Sequence, residues 1–191
     1  MMSPASKKHT SGMKKTLGLG VLGGVILTLI LVLASGFMVE ATNTDRFCVT
    51  CHAMKPFRTA WENSVHGGNN PRGVAAQCVD CHLPHGNFVE YIVAKGYTGS
   101  RDVYMNLTID TALHDWAGRT KFRREFTYDN ACRQCHLDLQ PKGMKVSGIL
   151  AHAQYLNGSV DKHCVDCHEH VGHKDMLSEA NEYFLKVRKE Q

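Results

Sequence analysis

The first 39 of the 191 residues contain no acidic side chain, and the remaining 152 carry no excess of either charge. The formal net charge of +4 therefore belongs to Lys7, Lys8, Lys14 and Lys15, since the other 18 Lys and Arg are matched by all 18 Asp and Glu. Without a basic excess downstream, the chain lacks the electrostatic footprint of a nucleic-acid binder. Proline is scarce, with 5 residues beside 17 Gly, which excludes proline-rich and collagen-like material. At 43% hydrophobic and 21% charged, the composition also excludes a disordered chain.

Charge of any sign is missing from Thr16 to Val39, a run of 24 residues. As a helix it extends roughly 36 Å, enough to cross a hydrocarbon core of about 30 Å with some tilt. All four lysines precede the run, and Glu40, Asp45 and Arg46 follow it. The positive-inside rule puts residues 1–15 in the cytoplasm, 16–39 in the membrane and the rest outside. The competing reading is a cleaved signal peptide, whose apolar stretch is usually only about 7–15 residues. Gly20, Gly23 and Gly24 supply a GxxxG-like spacing at which two such helices could pack as a homodimer, although small residues are common in membrane helices anyway.

No cysteine is left over for a structural disulfide once the motifs are marked. Cys48-Val-Thr-Cys51-His52, Cys78-Val-Asp-Cys81-His82, Cys132-Arg-Gln-Cys135-His136 and Cys164-Val-Asp-Cys167-His168 consume all eight. In C-x-x-C-H two thiols add to the vinyl groups of one haem while the adjacent histidine reaches the iron. Zinc binding would need four ligands per site in a pattern these spacings match only loosely. Disulfide pairing of exported cysteines leaves the four repeated histidines unexplained.

Four haems on 152 residues leave about 38 residues per haem, too few to enclose each porphyrin separately. The expected fold is mainly α with extensive irregular loops and no substantial sheet, wrapped around closely packed macrocycles that serve as the core. Motif starts separated by 30, 54 and 32 residues suggest two haem pairs, through duplication or coincidence. Leu177, Ala180, Phe184 and Val187 recur at helical spacing and predict an amphipathic tail helix over 176–191, after a haem domain spanning 40–175. Such a helix would lie on the haem domain or contact a partner or the membrane.

The N-terminal anchor, the four motifs, Cys51-His52-Ala53-Met54, Ser64-Val65-His66-Gly67-Gly68, Cys81-His82-Leu83-Pro84-His85-Gly86 and the ending His168-Glu-His-Val-Gly172-His173-Lys174 resemble the NapC/NirT/NrfH family of membrane-anchored tetrahaem quinol dehydrogenases. The likeness covers roughly residues 14–175. It implies electron transfer from menaquinol or ubiquinol, through four covalent haem c groups, to a periplasmic multihaem or molybdenum reductase of the nitrite or nitrate type. It also implies a bacterial inner (cytoplasmic) membrane location.

The family pattern makes the equivalents of His66 and His173 distal haem ligands beside the motif histidines His52, His82, His136 and His168. His173 follows His168 by five residues and cannot pass around that haem. Elimination then places His66 on haem 4 and His173 on haem 3; His152 is the candidate for haem 2, a place that the resemblance also allows a lysine of a nitrite-reductase partner to take. His85 and His114 read as surface or propionate-contacting residues. In members carrying C-x-x-C-H-x-M, the methionine, here Met54, binds the first iron in place of His52 and leaves its other face open. Lys95 and Asp102 match the lysine and aspartate lining that face and the quinol pocket. Seven residues apart, they share a helix face if Gly96 and Gly99 allow the helix; ordinary solvated charges are the plain alternative. A terminal reductase acting at an open haem 1, or a haem sensor, are the readings outside electron delivery. The sequence offers neither a second polar cluster nor a signalling module for them.

Overall fold

A computed structural model describes the backbone of residues 6–190 and the side chains from Lys14 onward. The expected basic N-terminus, residues 1–15, falls largely outside the described side chains. The chain divides into two units, residues 1–42 and 43–191.

The first unit is one helix, α1 (Ser6–Ala41). Its stretch Lys14–Ala41 is long and apolar enough to cross a membrane. Its large side chains from Leu17 to Met38 are exposed around the whole circumference, which suits a lipid environment. Thr28 and Ser35 return their hydroxyls to the carbonyls of Gly24 and Leu31, so neither presents an unsatisfied donor along the span.

The second unit contains α2 (Asp45–Cys48), α3 (Lys55–Glu62), α4 (Val79–His82), α5 (Phe88–Thr108), α6 (Trp116–Arg119), α7 (Arg123–Phe126), α8 (Asp129–Cys135), α9 (Val146–Leu156), α10 (Cys164–Cys167) and α11 (Met176–Glu190), with 3-10 turns at His52–Met54 and Thr120–Phe122. Among the described residues there is no strand, only an isolated antiparallel bridge between Gly67 and Ala75. The mainly helical, loop-rich architecture is the one expected from the sequence.

Five of the eight buried apolar residues are alanines: Ala53, Ala60, Ala112, Ala131 and Ala180, beside Leu83, Val165 and Phe184. Such small side chains cannot fill a conventional core for this length of chain. The largest apolar cluster forms where α11 crosses α3 and α6. There Phe184 and Ala180 pack with Ala112, Phe57, Trp116, Tyr183 and Val187. Phe184 stacks on Trp116 with ring centroids 5.7 Å apart, and Trp116 meets the edge of Phe57 at 4.9 Å. The helix is placed by the periodicity of its apolar residues, and Lys174 N donating to Ala60 O ties its approach to α3.

The longest helix of this unit is α5. Asn87 caps it by accepting from Glu90 N at 2.9 Å. It then runs 21 residues without a break through Gly96 and Gly99. Replacing Phe184 by Ala should destabilise the haem-loaded protein by about 3–5 kcal/mol, the usual loss for a buried phenylalanine. Chemical denaturation in detergent would measure it.

Candidate functional site

Short helical turns carry the cysteine motifs. Cys78 precedes α4, Cys132 and Cys135 lie in α8, Cys164 and Cys167 bound α10, and Cys48 ends α2. One helical turn sets residues three apart on the same side, the placement two thioether bonds to one porphyrin require. None of the eight is disulfide-bonded. The motifs also adjoin one another in order. The Cys48 and Cys78 thiols lie close enough to shift one another electrostatically, as do those of Cys132 and Cys164. Cys81 lies within electrostatic reach of Cys132 and Cys135. The four motifs thus neighbour one another in chain order, first to second, second to third and third to fourth.

Three motif histidines face a histidine from elsewhere in the chain. The ring centroids of His66 and His136, of His82 and His173, and of His152 and His168 are each 6.1 Å apart. A ligating imidazole nitrogen stands roughly 2 Å from its metal and roughly 1.2 Å from its own ring centre, so two imidazoles on opposite faces of one iron have centroids roughly 6.3 Å apart. The three pairs fit that requirement. The pairing differs from the one expected: His66 meets the third motif, not the fourth; His173 meets the second, not the third; His152 meets the fourth, not the second. Elimination along the chain could exclude His173 from its own haem but could not see which distant motif the loops bring opposite it.

Hydrogen bonds orient the rings. His66 Nδ1 lies 2.9 Å from Val171 O, His82 Nδ1 2.6 Å from Phe126 O, and His173 Nδ1 2.9 Å from Phe57 O. An Nδ1–H donated to a carbonyl leaves the Nε2 lone pair for a metal. Burial and the neighbouring His82 push His173 down to about 4, and burial also lowers His82, so both imidazoles are neutral near pH 7. His66 is held by a loop that turns against α3: a Cβ at Gly67 would collide with the Trp61 carbonyl, and buried Ser64 accepts from Gly67 N at 3.2 Å. These carbonyl acceptors are invisible in a sequence because any residue can supply them.

His52 behaves differently. Its Nε2, the nitrogen that would reach an iron, lies 3.2 Å from Thr111 Oγ1. Among the described residues it faces no other imidazole. Met54 closes the 3-10 turn that His52 opens and stands at the start of α3. His85 Nε2 lies 3.2 Å from Val79 O, and His114 meets the edge of Trp116 at 4.7 Å, so neither joins a facing histidine pair.

Lys95 and Asp102 share one face of α5 with Tyr91 and Thr98. Both act electrostatically on Cys48, Lys95 lowering and Asp102 raising its thiol. Burial raises Asp102 above the ordinary carboxylate range, with Arg101 and His82 partly opposing, and burial lowers Lys95. Lys95 Nζ and Tyr91 Oη each donate to Asn43 Oδ1 at 2.7 Å. Asn43 and Tyr91 went unnoticed in the sequence, although Tyr91 stands one turn before Lys95. The opposite face of α5 exposes Val89, Val93, Tyr97, Tyr104 and Leu107.

The model of the NapC/NirT cytochrome c family, N-terminal region, matches residues 10–178. The chain belongs to the NapC/NirT cytochrome c family. It is 34% identical over 164 residues to the tetraheme c-type cytochrome CymA of Shewanella oneidensis, covering 78% of this chain and 86% of that protein. It is 29% identical over 178 residues to the cytochrome c-type protein NapC of Paracoccus pantotrophus, covering 83% and 70%. It is also 29% identical over 181 residues to the cytochrome c-type protein TorC of Escherichia coli K12, covering 86% of this chain and 44% of TorC, less than half of that protein's length. No solved structure matches the chain. NapC/NirT membership brings an electron-transport role and covalent haem c, and the four motifs with three facing imidazole pairs fit that group. Replacing Cys132 and Cys135 together by Ala should lower covalent haem from four per chain to three, read by the pyridine haemochrome assay.

Proposed function

We propose that this chain oxidises menaquinol or ubiquinol beside α5 and passes the electrons through its haems to a periplasmic multihaem or molybdenum reductase of the nitrite or nitrate type. In this reading α1 anchors it in the bacterial inner membrane with a cytoplasmic N-terminus and a periplasmic haem domain. Haem c supplies one-electron transfer between neighbouring irons. Three of the haems would be held by His82 with His173, His136 with His66, and His168 with His152. At the first motif Met54 would hold the iron, with His52 Nε2 lying 3.2 Å from Thr111 Oγ1 instead.

The observation that carries the proposal is the pairing of Asp102 and Lys95 on one face of α5, both within electrostatic reach of Cys48. Quinol oxidation releases two protons with two electrons, and the electrons leave singly, so the protons need an acceptor at the site. The Asp102 carboxylate takes each proton in turn and returns it to the periplasmic solvent. Its raised affinity for protons, caused by burial, favours that exchange. Lys95 donates a hydrogen bond to a quinol oxygen, positioned by Asn43, which follows the end of α1 by two residues. The exposed apolar face of α5 suits contact with lipid, the medium that delivers the substrate.

Asp102→Asn should slow haem reduction by quinol roughly 10²-fold or more, a general-base effect, while leaving reduction by dithionite unchanged. Equal slowing with both reductants would sink the assignment. Because the acceptor works deprotonated, the wild-type quinol rate should rise with pH through the elevated pKa of Asp102, and the Asn variant should lack that limb. Met54→Ala should change the absorption and electron paramagnetic resonance (EPR) signals of one haem and His52→Ala of none. The reverse result would return the first iron to His52.

A further inference from the structure

The outer nitrogens of the facing imidazoles are served unequally. In the His82/His173 pair both Nδ1 atoms meet main-chain carbonyls, those of Phe126 and Phe57. In the His66/His136 pair the distal His66 meets Val171 O at 2.9 Å. In the His152/His168 pair the distal His152 Nδ1 is buried and has no hydrogen-bond partner. His136 and His168 are exposed, where solvent can accept from Nδ1, so the contrast between the last two pairs rests on their distal rings. A buried ring N–H without an acceptor is uncommon in a folded protein and calls for a reason.

The reason lies in what the hydrogen bond does to a ligand. An acceptor at Nδ1 pushes electron density toward Nε2 and makes the imidazole a stronger donor. Stronger donation favours ferric iron and lowers the reduction potential, one of the levers by which a protein tunes haem. We infer that the His152/His168 haem is the most oxidising of the three bis-histidine sites and the His82/His173 haem the most reducing. The grading follows the protein acceptors: two for the second motif, one for the third and none for the fourth. It runs along the order in which the motifs adjoin, so the chain itself biases electrons toward the fourth. The inference rests on the ligand pairs proposed above.

His152 sits on α9, one turn after Gly148. A side chain at 148 would meet only the flexible Met144 thioether chain, at 3.1 Å. Gly148→Asn brings a carbonyl oxygen toward His152 Nδ1, and Gly148→Ala imposes similar crowding without an acceptor. EPR-monitored redox titration of the full-length protein in detergent, with His152→Met marking the signal of its haem, tests the idea. In the unaltered protein the marked haem should titrate highest of the three, and Gly148→Asn should shift it negatively while Gly148→Ala leaves it in place. A marked haem that titrates lowest, or one that responds alike to Asn and Ala, overturns the inference and leaves the ligand pairs standing. If His152→Met alters no low-spin signal, the ligand pairing fails and the inference fails with it.

Discussion

Two imidazoles held 6.1 Å apart across open space gain nothing from one another; a metal between them turns the same geometry into a strong link. Three such pairs occur, and two tie together segments remote in sequence, His66 to His136 and His82 to His173. Closing loops of that length costs conformational entropy, although the cost grows only slowly with loop length. With the proposed ligand pairs, ligand–metal bonds would offset it, which would make haem loading part of folding. The rest of the structure depends on that exchange. A domain whose buried apolar residues are mostly alanines has little else to organise it beyond the cluster of α11 on α3 and α6.

The irregular backbone serves the same constraint. An axial histidine needs an acceptor for its outer nitrogen, and the chain provides main-chain carbonyls at the end of α7, within α3 and in the loop after α10. Carbonyls in a sheet ladder would be consumed by neighbouring strands; those of Phe126 at a helix end and Val171 in a loop have lone pairs to spare, and Phe57 O within α3 accepts through its second lone pair. The close approach of Gly67 to the Trp61 carbonyl shows how tightly one of these loops must turn to deliver its histidine.

Much of this was legible in the sequence, for identifiable reasons. Covalent attachment is local, so four C-x-x-C-H motifs announce themselves, and an uncharged run of 24 residues announces a span. Helix α11 was readable because its apolar residues repeat with the helical period. The partners of His66, His152 and His173 were not readable, because pairing is decided through space by loops that carry no periodic pattern. Thr111 and Asn43 escaped notice as well: each acts by a single hydrogen bond from a segment without a motif of its own. Helix α5 runs on through Gly96 and Gly99, where intrinsic propensity is poor and the cost is about 1 kcal/mol per glycine, from an N-terminus capped by Asn87.

In the proposed reading, the position of α5 addresses a mismatch in electron count. A quinol gives up electrons in pairs, whereas each iron takes one at a time. Cys48 and Cys78 act on one another electrostatically, so the attachment points of the first two haems are neighbours. Asp102 acts on Cys48 of the first motif and on His82 of the second. A proton acceptor in that position sees two one-electron acceptors from a single site. In that reading each proton that Asp102 accepts would neutralise its carboxylate as an electron departs, which spares this face of α5 a lasting change in charge. The opposite face of the same helix is exposed and apolar, from Val89 to Leu107. One helix thus offers the substrate an apolar approach on one side and proton chemistry on the other, and its uninterrupted 21 residues keep the two in fixed register.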